Sequence, residues 1–159
     1  MVAIDFKKAF DSVNRNFMLE TLSAFNFGPT FMRWIRTFYQ NITSSVMNNG
    51  FSTGPFNIRR GVRQGDPLSP YLFIICLETL AITVRGNKNI QGILVGKEEI
   101  KLEMFADDVT AFLRNSRSLE ALFHTADLFS KCSGLEINSE KTECMVLGNH
   151  VSSTVATVT

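Results

Sequence analysis

The amino-acid sequence predicts an α+β domain, an antiparallel sheet with helices packed on one of its faces. Three observations carry this. Apolar positions recur at helical spacing in four stretches, and short apolar runs of strand length fill the intervals. Turn formers such as Gly28-Pro29, Asn48-Asn49-Gly50 and Gly134 punctuate the elements. The resulting order is strand, two helices, strands, helix, strand hairpin, helix, strand, which is that of a mixed antiparallel domain.

Each element has a local reason. Val2-Ala3-Ile4 reads as a strand. Asp11, Ser12 or Asn14 can cap a helix that carries Phe17, Met18, Leu22 and Phe25, and Gly28-Pro29 stops it. A second helix follows with Phe31, Trp34, Ile35 and Phe38 along one side. Residues 44–47 and 55–58 suggest a hairpin across Asn48-Asn49-Gly50. Asp66-Pro67 reads as N-cap and first helical residue of a helix over 68–84, apolar nearly all round and therefore central and buried. Strands are expected at 93–95, 100–105 and 109–113, the last two joined by Ala106-Asp107-Asp108. Ser116 or Ser118 opens a helix with Leu119, Leu122, Phe123, Ala126 and Phe129 on one face, closed by Gly134. A short strand over 143–147 ends the pattern. The domain is thus expected over 1–148, with 149–159 a frayed tail.

At 159 residues the chain suits one domain with a real core, and 45% apolar content is that of a globular protein. A net charge of +1 argues against strong nucleic-acid binding by this chain alone, since phosphate contacts supply most of such affinity. It does not exclude handling nucleic acid inside a larger protein. Three cysteines (Cys76, Cys132 and Cys144) have no zinc spacing and make a poor disulfide framework, so a reducing compartment is expected. Charged residues interrupt any signal peptide, and the apolar run 71–77 is too short to span a bilayer. The expected location is intracellular, nucleus or cytoplasm, not secreted, with no membrane partner.

Four segments carry candidate chemistry. Asp107-Asp108, taken alone, is a hairpin turn. Two adjacent carboxylates nevertheless repel, and a divalent cation removes that penalty. Asp5, at the end of the first strand, is the candidate third carboxylate, and its alternative role is capping the turn that follows. If the sheet sets that strand beside the acidic hairpin, the three can hold two ions ~3.5–4 Å apart, which clamp an attacking and a leaving oxygen. In the run from Gly61 to Pro70, Gly61 and Gly65 allow close backbone approach, and Gln64 can both donate and accept. A capped helix entry explains Asp66 and Pro67 but not Arg63-Gln64-Gly65. The run from Gly134 to Thr142 contains Lys141, a candidate proton donor or else a solvated surface lysine.

Together, Ala3-Ile4-Asp5 through Asp11, Gly-Val-Arg-Gln-Gly-Asp-Pro-Leu-Ser-Pro at 61–70, Phe105-Ala106-Asp107-Asp108, and 134–142 resemble four reverse-transcriptase motifs in the right order. The resemblance is to non-LTR (LINE-type) retrotransposon enzymes and covers roughly residues 1–148. It implies a polymerase palm of ferredoxin-like architecture with the fingers and thumb missing. The implied activity is that of an RNA-directed DNA polymerase, with two-metal transfer of dNTPs to a primer 3′-OH. Implied partners are an RNA template, a DNA primer, dNTP and the missing fingers and thumb regions of a parent protein. The implied cofactor is Mg²⁺, with Mn²⁺ as substitute.

By the same resemblance Asp5 and Asp107 are the principal metal ligands, Asp108 the third carboxylate, and the Phe6 carbonyl completes one shell. The N–H groups of Lys8 and Ala9 face the triphosphate. Phe10 is the steric gate against a 2′-hydroxyl, its alternative being a core phenylalanine. Gln64 and Gly65 line the nucleotide pocket, Phe105 sits near the primer end, and Lys141 is the general acid. Asp11 reads as a helix cap. Only four residues precede Asp5, and nothing after Gly148 reads as a thumb. The competing expectation is a non-catalytic retrotransposon remnant or a co-opted binding module.

Overall fold

The computed structural model describes residues 1–148 and 155–157. The chain opens with β1 (Val2–Ile4), then α1 (Ala9–Ser12), α2 (Arg15–Ala24) and α3 (Pro29–Tyr39). Four two-residue strands follow, β2 (Thr43–Ser44), β3 (Met47–Asn48), β4 (Phe51–Ser52) and β5 (Phe56–Asn57). Then come α4 (Ser69–Gly86), β6 (Ile93–Val95), β7 (Glu98–Ile100), β8 (Leu102–Phe105), β9 (Asp108–Ala111), α5 (Ser116–Ser133), β10 (Glu143–Met145) and β11 (Val155–Thr157).

The main sheet has the order β11-β10-β1-β9-β8, every pairing antiparallel. Without its edge strand β11, this is a β-α-β-β-α-β succession: helices enter between β1 and β8 and again between β9 and β10. Successive residues in a strand point to opposite faces, so the register sorts the sheet into two sides. Val2, Ile4, Leu102, Val109 and Ala111 are buried and join the core. Ala3 and Glu103, which pair with Thr110 on the opposite side, are exposed. One face is therefore covered by helices and the other is open.

The covering layer is built around α4. Leu72, Phe73, Cys76, Leu77, Leu80, Ala81 and Val84 are buried, and α4 packs against α2, α5 and β8. It is not buried all round, as its composition suggests. Tyr71 is 65% and Ile82 52% exposed, an apolar outer stripe opposite the core. By length and composition α4 is apolar enough to cross a membrane, but here its inner side is a core helix face.

Helix ends follow local chemistry. The Asn14 side chain accepts from the N–H groups of Asn16 and Phe17, and that of Asn115 from Ser118 N–H. Gly134 closes α5 at φ 78°, where its N–H reaches Ser130 O. Asn49 and Gly50, at φ 48° and 80°, turn the β3–β4 hairpin, the pattern of a I′ turn.

Three further expectations change. In α3 the inward side is Met32, Ile35 and Tyr39, whereas Trp34 and Phe38 are 56% and 51% exposed. Residues 32, 35 and 39 keep helical spacing, so periodicity alone could not choose between two overlapping apolar stripes. The helix after Pro67 starts two residues late: Asp66 Oδ1 accepts from Leu68 N–H, and its carbonyl accepts from Ser69 N–H. Asp66 thus supports the turn before α4 rather than capping the helix itself. Val155–Thr157 pairs with β10, so this part of the expected tail is strand. The rest of 149–159 lies outside the described residues.

Cys76 is fully buried in α4, and burial pushes its thiol up from 9.0 to about 12. A thiol raised on folding supports the native state fully below pH 9.0, and that support is lost as pH rises toward about 12. Native chain treated with iodoacetamide at pH 8 is expected to alkylate exposed Cys132 and spare Cys76 until unfolded, read by mass spectrometry.

Candidate active site

The site begins where β1 ends. The β1–β9 ladder closes at Ile4↔Val109, and β9 continues to β8 with Phe105↔Asp108. One residue past the last β1–β9 pair, the backbone brings Asp5 beside Asp108. Directly opposed antiparallel residues share a sheet face, here the open one that carries Ala3 and Glu103. Strand register thus directs two of the three expected carboxylates to one face, one residue past the last pair, whereas the cleft that Asp5 lines includes neither Asp107 nor Asp108.

The third, Asp107, occupies the two-residue turn Ala106-Asp107 between β8 and β9. Ala106 has φ 54° and Asp107 no positive φ, the pattern of a II′ turn, whose first central position normally takes Gly. An alanine held there stores backbone strain of about 1 kcal/mol or more. The turn leaves Asp107 and Asp108 exposed, and Phe105, 83% exposed, stands on the open face beside them.

Asp5 is fixed by the loop after α5. Its N–H donates to Thr142 Oγ1 at 3.3 Å, its carbonyl accepts from Asn138 N–H at 2.8 Å, and Asn138 Nδ2 donates to its Oδ2 at 3.1 Å. A bridge between Phe6 and Ile137 and a 2.9 Å bond from Lys7 N–H to Glu136 O extend the contact. The buried Phe6 ring leaves only its backbone for a ligand. Exposed Lys141 and Lys8 line the same cleft of about 510 Å³ as Asp5 and Asn138. Among the described residues, no protein acceptor takes the N–H of Lys8 or Ala9, so both remain available to an anion.

A second cleft, of about 400 Å³, is lined by Phe10, Gln64, Gly65 and Asp66. Phe10 stacks on Phe73 of α4, ring centroids 4.7 Å apart, so it is core on one side and cleft wall on the other. Gln64 Nε2 donates to Asp11 Oδ1 at 3.2 Å. Asp11 is therefore a partner of Gln64 and not a cap. Gly61 packs directly on the backbone of Phe10 and Asp11. A Cβ there, at φ 79°, would lie 2.7 Å from Asp11 Cα.

Among the described residues, no three His, Cys, Asp or Glu side chains form a ready metal cluster. The expected three-carboxylate convergence is incomplete: the β1–β9 ladder ends at Ile4↔Val109, one residue short of Asp5 and Asp108, and Asn138 engages one Asp5 oxygen. The donor set still fits Mg²⁺, which takes oxygen ligands and is commonly held by one or two carboxylates, with substrate phosphate and water completing the shell.

Sequence reasoning missed three residues. Asn138 and Thr142 lie inside a recognised segment, where an amide and a hydroxyl facing a carboxylate strand end were the available signal. Arg15 gave none. It opens α2 like any polar first-turn residue, yet its guanidinium reaches carbonyls of the 58–61 segment.

Comparison with known proteins agrees with these motifs. The family described as reverse transcriptase (RNA-dependent DNA polymerase) matches residues 1–156. The chain is 30% identical over 93% of its length to the transposon TX1 uncharacterized 149 kDa protein of Xenopus laevis, covering 11% of that protein. It is 32% identical over 91% of its length to the retrovirus-related Pol polyprotein from the type-2 retrotransposable element R2DM of Drosophila melanogaster, covering 13%. A Pol polyprotein from the type-1 retrotransposable element R2 of Popillia japonica is 31% identical over 89% of the chain, which covers 20% of it. The chain therefore spans one fifth or less of these relatives. In fold it resembles telomerase from Candida albicans, with a TM-score of 0.63 at 13% identity, over 96% of this chain and 27% of the other.

Gly61→Ala is expected to destabilise the chain by about 1–3 kcal/mol, because positive φ and the Asp11 backbone both oppose a Cβ. Urea unfolding checks this. An unchanged midpoint would mean that the loop does not rest on Asp11.

Proposed function

The chain belongs to the reverse transcriptase family, with relatives in LINE-type elements, and on that premise we propose that it is the palm of an RNA-directed DNA polymerase. The observation that carries the reading is the position of Asp5. It follows the Ile4↔Val109 pair, on the strand end that runs toward Asp108, and shares a cleft with Lys8 and Lys141; the Phe10–Gln64–Gly65 cleft adjoins it along the chain. Deoxynucleotides are the substrate, a primer 3′-OH the nucleophile and an RNA strand the template. Fingers and thumb are taken to lie in the remainder of a longer protein.

Attack of the 3′-OH on the α-phosphate needs alignment and charge neutralisation more than covalent help. Asp5, Asp107 and Asp108, with the Phe6 carbonyl, would hold Mg²⁺ or Mn²⁺, which neutralises phosphate charge and polarises the reacting oxygens when bound. The chain's own groups do the positioning. The free N–H groups of Lys8 and Ala9 face the triphosphate. Phe10, backed by Phe73, would present a fixed ring to the sugar and act as the gate against a 2′-hydroxyl. Gln64 and Gly65 border the base and sugar, Phe105 meets the primer end, and Lys141 gives a proton to the departing pyrophosphate.

A second reading, a non-catalytic remnant or binding module, is favoured by the engagement of Asp5 with Asn138 and the absence of a ready carboxylate trio among the described residues. Titration of the purified chain with Mn²⁺, read by electron paramagnetic resonance, separates the two. Weak binding that disappears in both Asp5→Asn and Asp107→Asn is expected, together with poor or absent primer extension by the isolated chain. Binding that is insensitive to both substitutions would sink the polymerase reading.

A further inference from the structure

Residues 58–68 belong to no helix or strand, yet they carry Gln64 and Gly65 into the cleft opposite Phe10. An irregular segment of this length needs its backbone groups satisfied from elsewhere. Arg15 supplies much of that. Its Nη1 donates to Ile58 O at 2.7 Å, its Nη2 to Arg60 O at 3.2 Å and its Nε to Gly61 O at 3.2 Å. The same Nη1 reaches Tyr39 O at 3.4 Å, and the guanidinium carbon lies 5.3 Å from the Tyr39 ring centroid.

Ile58 N–H donates to Ile42 O at 2.8 Å, and three further ties come from the chain just before Arg15. Gly61 N–H donates to Val13 O, Val62 N–H to Phe10 O, and Gln64 Nε2 to Asp11 Oδ1. Residues 10–15 are thus a rail on which the loop rests, with Phe10 at the cleft end and Arg15 at the other. Burial lowers the Arg15 pKa from its ordinary value, with Tyr39 opposing and Arg63 adding to the change, and the group stays a cation.

We propose that Arg15 is the positioning residue of the nucleotide cleft: its planar fork gathers the carbonyls of Ile58, Arg60 and Gly61, and so sets Gln64 and Gly65 against Phe10. The assignment rests on the reading of that cleft as a nucleotide site. It touches neither substrate nor reacting atoms. Lysine cannot replace it, because a point ammonium offers three donors without the planar spread that reaches three separate carbonyls.

The test compares Arg15→Lys, Arg15→Ala and a control, Leu122→Ala in the α5 core, using the full chain. Amide exchange is read at Gly61 and Val62, and affinity is measured for a fluorescent deoxynucleoside triphosphate with Mg²⁺. In both Arg15 variants exchange at these two amides is expected to rise by about tenfold or more, with nucleotide affinity falling about tenfold. Low-millimolar guanidinium should restore both in Arg15→Ala. Leu122→Ala should lower the melting temperature without either local effect.

Protection at Gly61 and Val62 that survives in Arg15→Lys overturns the proposal. So does unfolding of both Arg15 variants, which would make Arg15 a residue of general stability. If the exchange pattern is as expected and the parent chain binds no nucleotide, the loop assignment stands and the reading of the cleft as a nucleotide site falls.

Discussion

Strand β1 is three residues long and paired on both edges, and the rest of the structure is arranged around that constraint. Its partners come from far along the chain: β9 on one side and β10 on the other. Such long-range pairing costs loop-closure entropy before it returns any contact, so it needs strong burial to hold. Val2 and Ile4 provide this by pointing into the core shared with α4. Alternation then forces Ala3 and Asp5 to the other side. The acidic residue reaches the open face because its neighbours are needed inside, and the pairing with β9 puts Asp108 next to it.

The sheet brings residues together, but loops give the site its detail. Residues 136–142 hold Asp5 through backbone and side chain at once, which ties the end of α5 to the end of β1. The segment before α4 leans on residues 10–15 in a similar way. In both places a glycine permits the contact: a Cβ on Gly134 would meet Ser12 O at 2.6 Å, and one on Gly61 would meet the backbone of Asp11. These two close approaches draw α5 and the α4 entry onto the single turn of α1, which lies between the two clefts.

How much of this could be read from the residues follows from the range of the forces involved. Caps and turns such as Asn14, Asn49-Gly50 and Gly134 depend on a few adjacent residues, and sequence reading located them. The α+β order and the strands around Asp107-Asp108 rest on hydrophobic periodicity and were equally legible. Periodicity failed at α3, where two apolar stripes overlap and only tertiary packing selects Met32, Ile35 and Tyr39 over Trp34 and Phe38. Arg15 was illegible for a related reason. Its partners are carbonyl oxygens, which every residue carries, so no pattern of residue types marks them. For Phe10 the sequence left core and gate open, and the structure shows one ring face stacked on Phe73 while the residue also lines a cleft.

The electrostatics of Asp5 bear on what the open face can do. A carboxylate beside a second carboxylate could be quieted by an arginine or lysine, and an ion pair would then cancel the field that attracts a cation. Among the described residues the salt bridges are Lys7–Glu136, Arg85–Glu78, Lys101–Glu99 and Lys131–Asp127, and none uses Asp5, Asp107 or Asp108. Asp5 is oriented instead by the Asn138 amide, a neutral donor. The amide fixes one oxygen without forming an ion pair with it. Asn138 therefore does for Asp5 what a lysine could not: it holds the group while adding no charge of its own. A neutral donor of this kind leaves the other Asp5 oxygen available to a cation.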